Sequence, residues 1–167
     1  MQKQIKILLT ILMALALAVS CAKNNPNNPT KTKEQMLQQK WQDNDTSFGI
    51  NQYIITDNKF ENTYEGAVSY SFDIKEISWT SDTAGIIYGQ YTANDDTSVI
   101  GKWYAVSFKD LTATTINICP ASKQIGTDPD TNFPIYDYSA ETLEEAKTKF
   151  TDANGYFGYY SDCTVLK

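Results

Sequence analysis

The chain has no histidine and no arginine: its 14 cationic residues are all Lys, set against 20 Asp and Glu. Without imidazole there is no Ser-His-Asp or Cys-His catalysis and no His-ligated metal. Without guanidinium there is no bidentate clamp for carboxylate or phosphate. The acidic excess argues against nucleic-acid binding, which needs a basic face. Cysteine is scarce, with three in 167 residues. Long apolar runs are scarce too. The longest, Ile7 to Val19, is broken only by Thr10. It would reach about 20 Å as a helix, short of the roughly 30 Å core of a bilayer.

That run, preceded by Lys3 and Lys6, has the form of a secretory signal peptide over residues 1–20. Removing its two Lys leaves 12 against the same 20 acids, a net charge of −8. All 21 aromatic residues stay in the remaining chain. Residues 22–33 (AKNNPNNPTKTK) lack apolar periodicity and read as a tether. Residues 34–167 are long enough for one self-sufficient core, so a single, monomeric domain is expected.

Glu34 to Trp41 carries only Met36, Leu37 and Trp41 as large apolar residues, consistent with a short helical turn. From Ile50 the hydrophobic period becomes two. Strands are expected over Ile50–Thr56, Lys59–Glu65, Val68–Ile74, Ile86–Thr92, Trp103–Phe108, Thr114–Ile118 and Tyr156–Val165. Short strands separated by turns indicate an antiparallel meander, mainly β. Closure into a small barrel of about eight strands would remove a Tyr-rich edge prone to aggregation. One late helix, expected to pack outside, opens at Thr142-Leu143-Glu144-Glu145 as a capping box and stops at Asn154-Gly155.

Two resemblances add to this reading. Ala18-Val19-Ser20-Cys21 resembles the lipobox of bacterial lipoproteins, which implies acyl chains on Cys21 and anchorage in a membrane. Ala22 after that Cys leans, in that family, toward the outer membrane or cell surface. Gly85-Ile86-Ile87-Tyr88, Gly101-Lys102-Trp103-Tyr104-Ala105-Val106 and Asn154-Gly155-Tyr156-Phe157 look like a family of small spirochaete surface lipoproteins. That resemblance implies lipocalin-like architecture and supplies no catalytic residue. Trp41 takes the place of the opening Trp of true lipocalins, though no Gly stands two residues before it.

Candidate sites follow, each beside a plainer reading. Asp128-Pro129-Asp130-Thr131-Asn132 opens like a calcium loop, but Phe133 replaces the turn Gly and Ser139 the bidentate Glu. Solvated acidic loops explain it and Asp43-Asn44-Asp45 better, so no metal or cofactor is expected. Cys119 and Cys163 would form a disulfide if their strands ran parallel; antiparallel neighbours would put the sulfurs at opposite ends. Tyr53, Tyr70, Phe72, Tyr88, Trp103, Tyr104, Phe157 and Tyr159 are the candidate lining of an apolar pocket, or else ordinary core. The function expected is non-enzymatic: a lipid-anchored surface protein that binds a small hydrophobic or aromatic ligand in the barrel. The alternative is a filled barrel that contacts protein partners through exposed aromatic loops.

Overall fold

The computed structural model describes residues 31–166. The signal segment, Cys21 and the tether up to residue 30 lie outside the described residues. Thr32–Lys167 forms one compact unit.

That unit opens with helix α1 (Lys33–Leu37). Thr32 caps it reciprocally with Gln35: its hydroxyl accepts from the Gln35 amide at 3.2 Å, and the Gln35 side chain accepts from the Thr32 amide at 3.0 Å. The expected tether therefore ends two residues earlier than its composition indicates.

Strands β1 (Lys40–Asp43), β2 (Asn51–Ile55), β3 (Lys59–Tyr64), β4 (Ala67–Trp79), β5 (Gly85–Asn94), β6 (Trp103–Lys109) and β7 (Thr115–Pro120) follow. Each pairs antiparallel with the next. A short hairpin, β8 (Lys123–Thr127) with β9 (Pro134–Asp137), and helix α2 (Leu143–Lys149) interrupt the series. Strand β10 (Ser161–Val165) then pairs with both β7 and β1 and closes an eight-stranded barrel. The expected mainly-β, antiparallel barrel is the fold observed. All barrel strands and the buried core lie within this one unit, which makes it self-contained.

One end of the barrel is shut. The Trp41 indole is fully buried and donates to the Leu37 carbonyl at 3.0 Å, fixing α1 across the opening. Lys33 reaches the β4–β5 turn at this end, 4.6 Å from the centre of the Trp79 ring and 3.8 Å from Asp82. The opposite end is the mouth, formed by the 44–50 and 95–102 loops and the whole 121–160 insertion.

Helix α2 packs against β6. By register Glu76, Tyr88 and Ala105 face away from the lumen, and Lys147 of α2 reaches Glu76 at 2.9 Å. The helix therefore lies outside, as expected. Thr142 accepts from the Glu145 amide, but the Glu145 carboxylate reaches back to the amide of Glu141 and not to that of the cap. The helix ends at Lys149 with Phe150 as its C-cap, before the expected stop; Asn154 still donates to the Thr148 and Lys149 carbonyls, and Gly155 takes a left-handed φ of 76° in the turn that follows.

One expectation fails here, and the cysteine pair takes the antiparallel alternative. The final strand begins only at Ser161, because Tyr156 turns away to meet the Phe150 ring at 5.2 Å and to donate to Asp137 at 2.6 Å. Cys119 and Cys163 are both buried and unbonded. Cys163 pairs with Ile116 across β10 and β7, so it shares the inner face with Ile116 and Ile118, whereas Cys119 alternates to the outer face. Two sulfurs on opposite faces of one antiparallel pair cannot bridge.

Candidate functional site

The lumen is built by alternation. Inward positions run Tyr53, Ile55 on β2; Phe60, Asn62 on β3; Tyr70, Phe72, Ile74 on β4; and Tyr104, Val106, Phe108 on β6. The rings stack through its middle. Phe60 and Phe72 lie 4.8 Å apart and nearly parallel, Phe72 meets Tyr104 edge-on at 5.8 Å, and Tyr104 stacks on Tyr91 at 4.6 Å. Gly89 makes this possible, since a Cβ there would lie 2.2 Å from the Asp73 carbonyl oxygen and 2.3 Å from the Phe72 ring. Side chains thus fill the barrel beneath its mouth.

Of the eight candidate pocket residues, Tyr53, Tyr70, Phe72 and Tyr104 share the interior. The other four do not join them. Tyr88 pairs with Ala105 and faces outward, where it is buried on the α2 side of the sheet. Trp103 also faces outward, its backbone bridged to Ala140. Phe157 is buried outside the strands, and Tyr159 is 72% exposed at the rim. A one-residue alternation explains Tyr88 and Trp103: each neighbours an inward residue and so points the other way. Phe60 and Tyr91, not singled out from sequence, occupy the interior instead; their runs, Phe60-Asn62-Tyr64 and Ile87-Gly89-Tyr91, carry the same period of two.

The mouth is polar below and apolar at the rim. Asn62 donates to the Asn51 side chain at 2.6 Å and to the Gln52 carbonyl, and Asn51 donates to the Tyr53 hydroxyl at 2.9 Å. Burial pushes the Tyr53 phenol up to about 12, against the opposing hydrogen bond from Ser161. Burial likewise lifts the Cys163 thiol to about 12, with the Asp43 charge adding to it.

Two cavities open here. A cleft of about 510 Å³ lies among Asp43, Asn51, Asn62, Phe48, Tyr64 and Tyr159. Its rim loop is held down by the Tyr64 hydroxyl, which donates to the Phe48 carbonyl, and by Glu65, which accepts from the Ile50 amide at 2.6 Å. Phe48 itself is 83% exposed, beside exposed Ile50, Tyr64, Val68 and Tyr159.

A second cavity, about 280 Å³, lies among Tyr70, Tyr91, Asn94, Tyr104, Tyr136 and Tyr138. The hairpin that contributes Tyr136 is tied in place by Asp137, which accepts from Lys149 at 2.7 Å and from Tyr156. Burial raises the Asp137 carboxyl, but these two donors outweigh it and leave it below the ordinary carboxylate range.

In the acidic loops the carboxylates hold their own turns. Asp128 accepts from the amides of Asp130 and Thr131, and Asp45 from that of Ser47, each closing its own turn. Among the described residues no group of three His, Cys, Asp or Glu is placed to hold a metal ion.

No protein-family model, curated protein or solved structure matches the chain.

Proposed function

We propose that this is an exported, non-enzymatic protein, lipid-anchored through Cys21 in the outer membrane or at the cell surface, that engages a protein partner at the barrel mouth. The observation that carries this reading is the exposed rim of Phe48, Ile50, Tyr64, Val68 and Tyr159 on a barrel whose lumen is occupied by its own side chains. Exposed aromatic clusters around a cleft are typical of interaction sites. Asp43 and Asp45 at the cleft favour a partner that inserts an apolar side chain flanked by a positive charge. The stacked Phe60, Phe72 and Tyr104 rings support this reading over the other one, a ligand deep in the lumen.

The described chain enters the barrel at its shut end, through Thr32 and α1. An anchor on Cys21 would therefore attach that end and leave the mouth at the other. A photo-crosslinker placed at Tyr159 on whole cells should give a discrete protein adduct that Phe48→Asp abolishes. An adduct pattern indifferent to Phe48→Asp would overturn the surface. Cys21→Ala should end acyl labelling of the protein; continued labelling would overturn the anchor.

A further inference from the structure

Strand β1 ends on a buried charge. Asp43 faces the barrel interior, paired with Cys163 across β1 and β10, and is only 8% exposed, unlike the solvated loop its sequence context indicates. Its Oδ1 accepts from the Asp45 amide at 3.0 Å. Among the described residues no Lys forms an ion pair with it, whereas Glu76, Asp137 and Glu141 each hold one at 2.7–2.9 Å. Its neighbours offer no positive charge either. Burial keeps the Cys163 thiol and the Tyr53 phenol protonated, and the Asp43 charge adds to both shifts. A buried carboxylate without a cation is costly, so a positive group from outside is what this end of the barrel lacks.

The cleft that Asp43 lines supplies the rest of a site. Its wall includes Phe48, Tyr64 and Tyr159, with Asp45 adding a second negative charge. Tyr64 packs on Gly49, where a Cβ would fall 2.6 Å from the phenol oxygen, so a larger residue at 49 would push this ring aside. Aromatic faces attract a cation and cover its methylenes. The volume, about 510 Å³, lies within the range of ligand sites.

The kind of cation follows from the donors and the walls. Among the described residues no three His, Cys, Asp or Glu converge, and aromatic walls bring no oxygen ligands for a hard metal ion. A guanidinium fork matches two side-by-side oxygens, but the Asp45 amide already holds Oδ1. An ammonium is a point charge and needs only one. Asp43 lies beneath the rim, so that charge must arrive on an apolar stem.

We infer that this cleft binds the ammonium of a lysine side chain, its stem against Phe48, Tyr64 and Tyr159 and its charge on Asp43. Such a site refines the docking reading on which it rests: lysine supplies in one residue both the apolar group and the positive charge.

Three capped tripeptides that differ only in the middle residue make the test: Ala-Lys-Ala, Ala-Arg-Ala and Ala-norleucine-Ala, the last keeping an unbranched stem without the charge. Each is titrated into the self-contained unit (residues 32–167) at low salt while backbone amide resonances are followed. The lysine peptide should saturably shift the signals of Asp43, Asn51, Tyr64 and Tyr159. It should bind about tenfold more tightly than the norleucine peptide, and more tightly than the arginine one. Asp43→Asn keeps an acceptor for the Asp45 amide and should erase the preference over norleucine. Phe48→Ala, at an exposed position that folding does not need, should weaken the lysine and norleucine peptides alike. The inference is overturned if lysine and norleucine peptides bind equally, if arginine binds as tightly as lysine, or if Asp43→Asn keeps the preference. The Tyr159 crosslink reports on the partner separately. An adduct that persists beside a failed lysine test removes this chemistry and leaves the docking surface, whereas a missing adduct beside a successful one removes the partner and leaves the lysine site.

Discussion

The two ends of this barrel solve opposite problems with the same residue types. At the shut end Trp41 is wholly buried, its one polar atom is matched by the Leu37 carbonyl, and α1 covers the opening. At the mouth Phe48 and Tyr159 are left in water. Aromatic content therefore does not by itself mark a site. An aromatic that is enclosed and matched stabilises the fold, whereas one left exposed is retained at a cost that folding does not explain.

The contrast breaks most readily at the shut end. Trp41→Ala should lower stability by about 3–5 kcal/mol, because it opens a large cavity and releases the α1 cover. Urea unfolding followed by circular dichroism measures this, and a loss below about 1 kcal/mol would mean that the end is not tightly packed. Gly89→Ala comes next, at about 1–3 kcal/mol, since the added methyl must displace the Phe72 ring and the Asp73 carbonyl. Thermal unfolding reads it, and an unchanged midpoint would show that β4 yields freely.

Alkaline pH should have a smaller effect. The native Cys163 thiol holds its proton to about 12, whereas the unfolded thiol releases it from roughly 8.5. The folded state then binds more protons above that pH. Stability from this group is complete below it, and falls as pH rises toward 12, by about 2 kcal/mol at pH 10. The Tyr53 phenol acts in the same direction at still higher pH. Cys163→Ala should flatten the slope just above pH 8.5. Between pH 6 and 8 unfolding free energy should stay level, as the chain has no His. A fall across that interval would contradict the assignment.

Tyr159→Ala should have the least effect, shifting stability by no more than about 0.5 kcal/mol while removing rim surface. A loss approaching that of Trp41→Ala would erase the distinction between the two ends.

Much of the barrel is legible in the sequence because alternation is a local property. Val68-Tyr70-Phe72-Ile74 gives the inner face of β4 directly, and the Thr142 cap marks the start of α2, although the helix ends at Lys149, before the expected Asn154-Gly155 stop. The misses come from features that alternation does not carry. Strands β1, β8 and β9 are short and polar, with too few alternating apolar residues to show a period of two, and β1 also depends on β10 at the far end of the chain. Tyr156 to Tyr160 has strand-like composition, yet Tyr156 is drawn off by Phe150 and Asp137. All eight candidate pocket residues are aromatic, but aromaticity does not say which face of a strand a ring occupies, and half of them lie outside the lumen.

The sequence alone determines the chemical repertoire: no imidazole, no guanidinium, an acidic chain, and aromatics enough to close a small β core. Those follow from which side chains exist, whatever shape the chain takes. Only the tertiary structure decides that Cys119 and Cys163 stand on opposite faces and that the lumen is filled. Each depends on register between strands far apart in the chain, where a shift of one residue would exchange inside for outside.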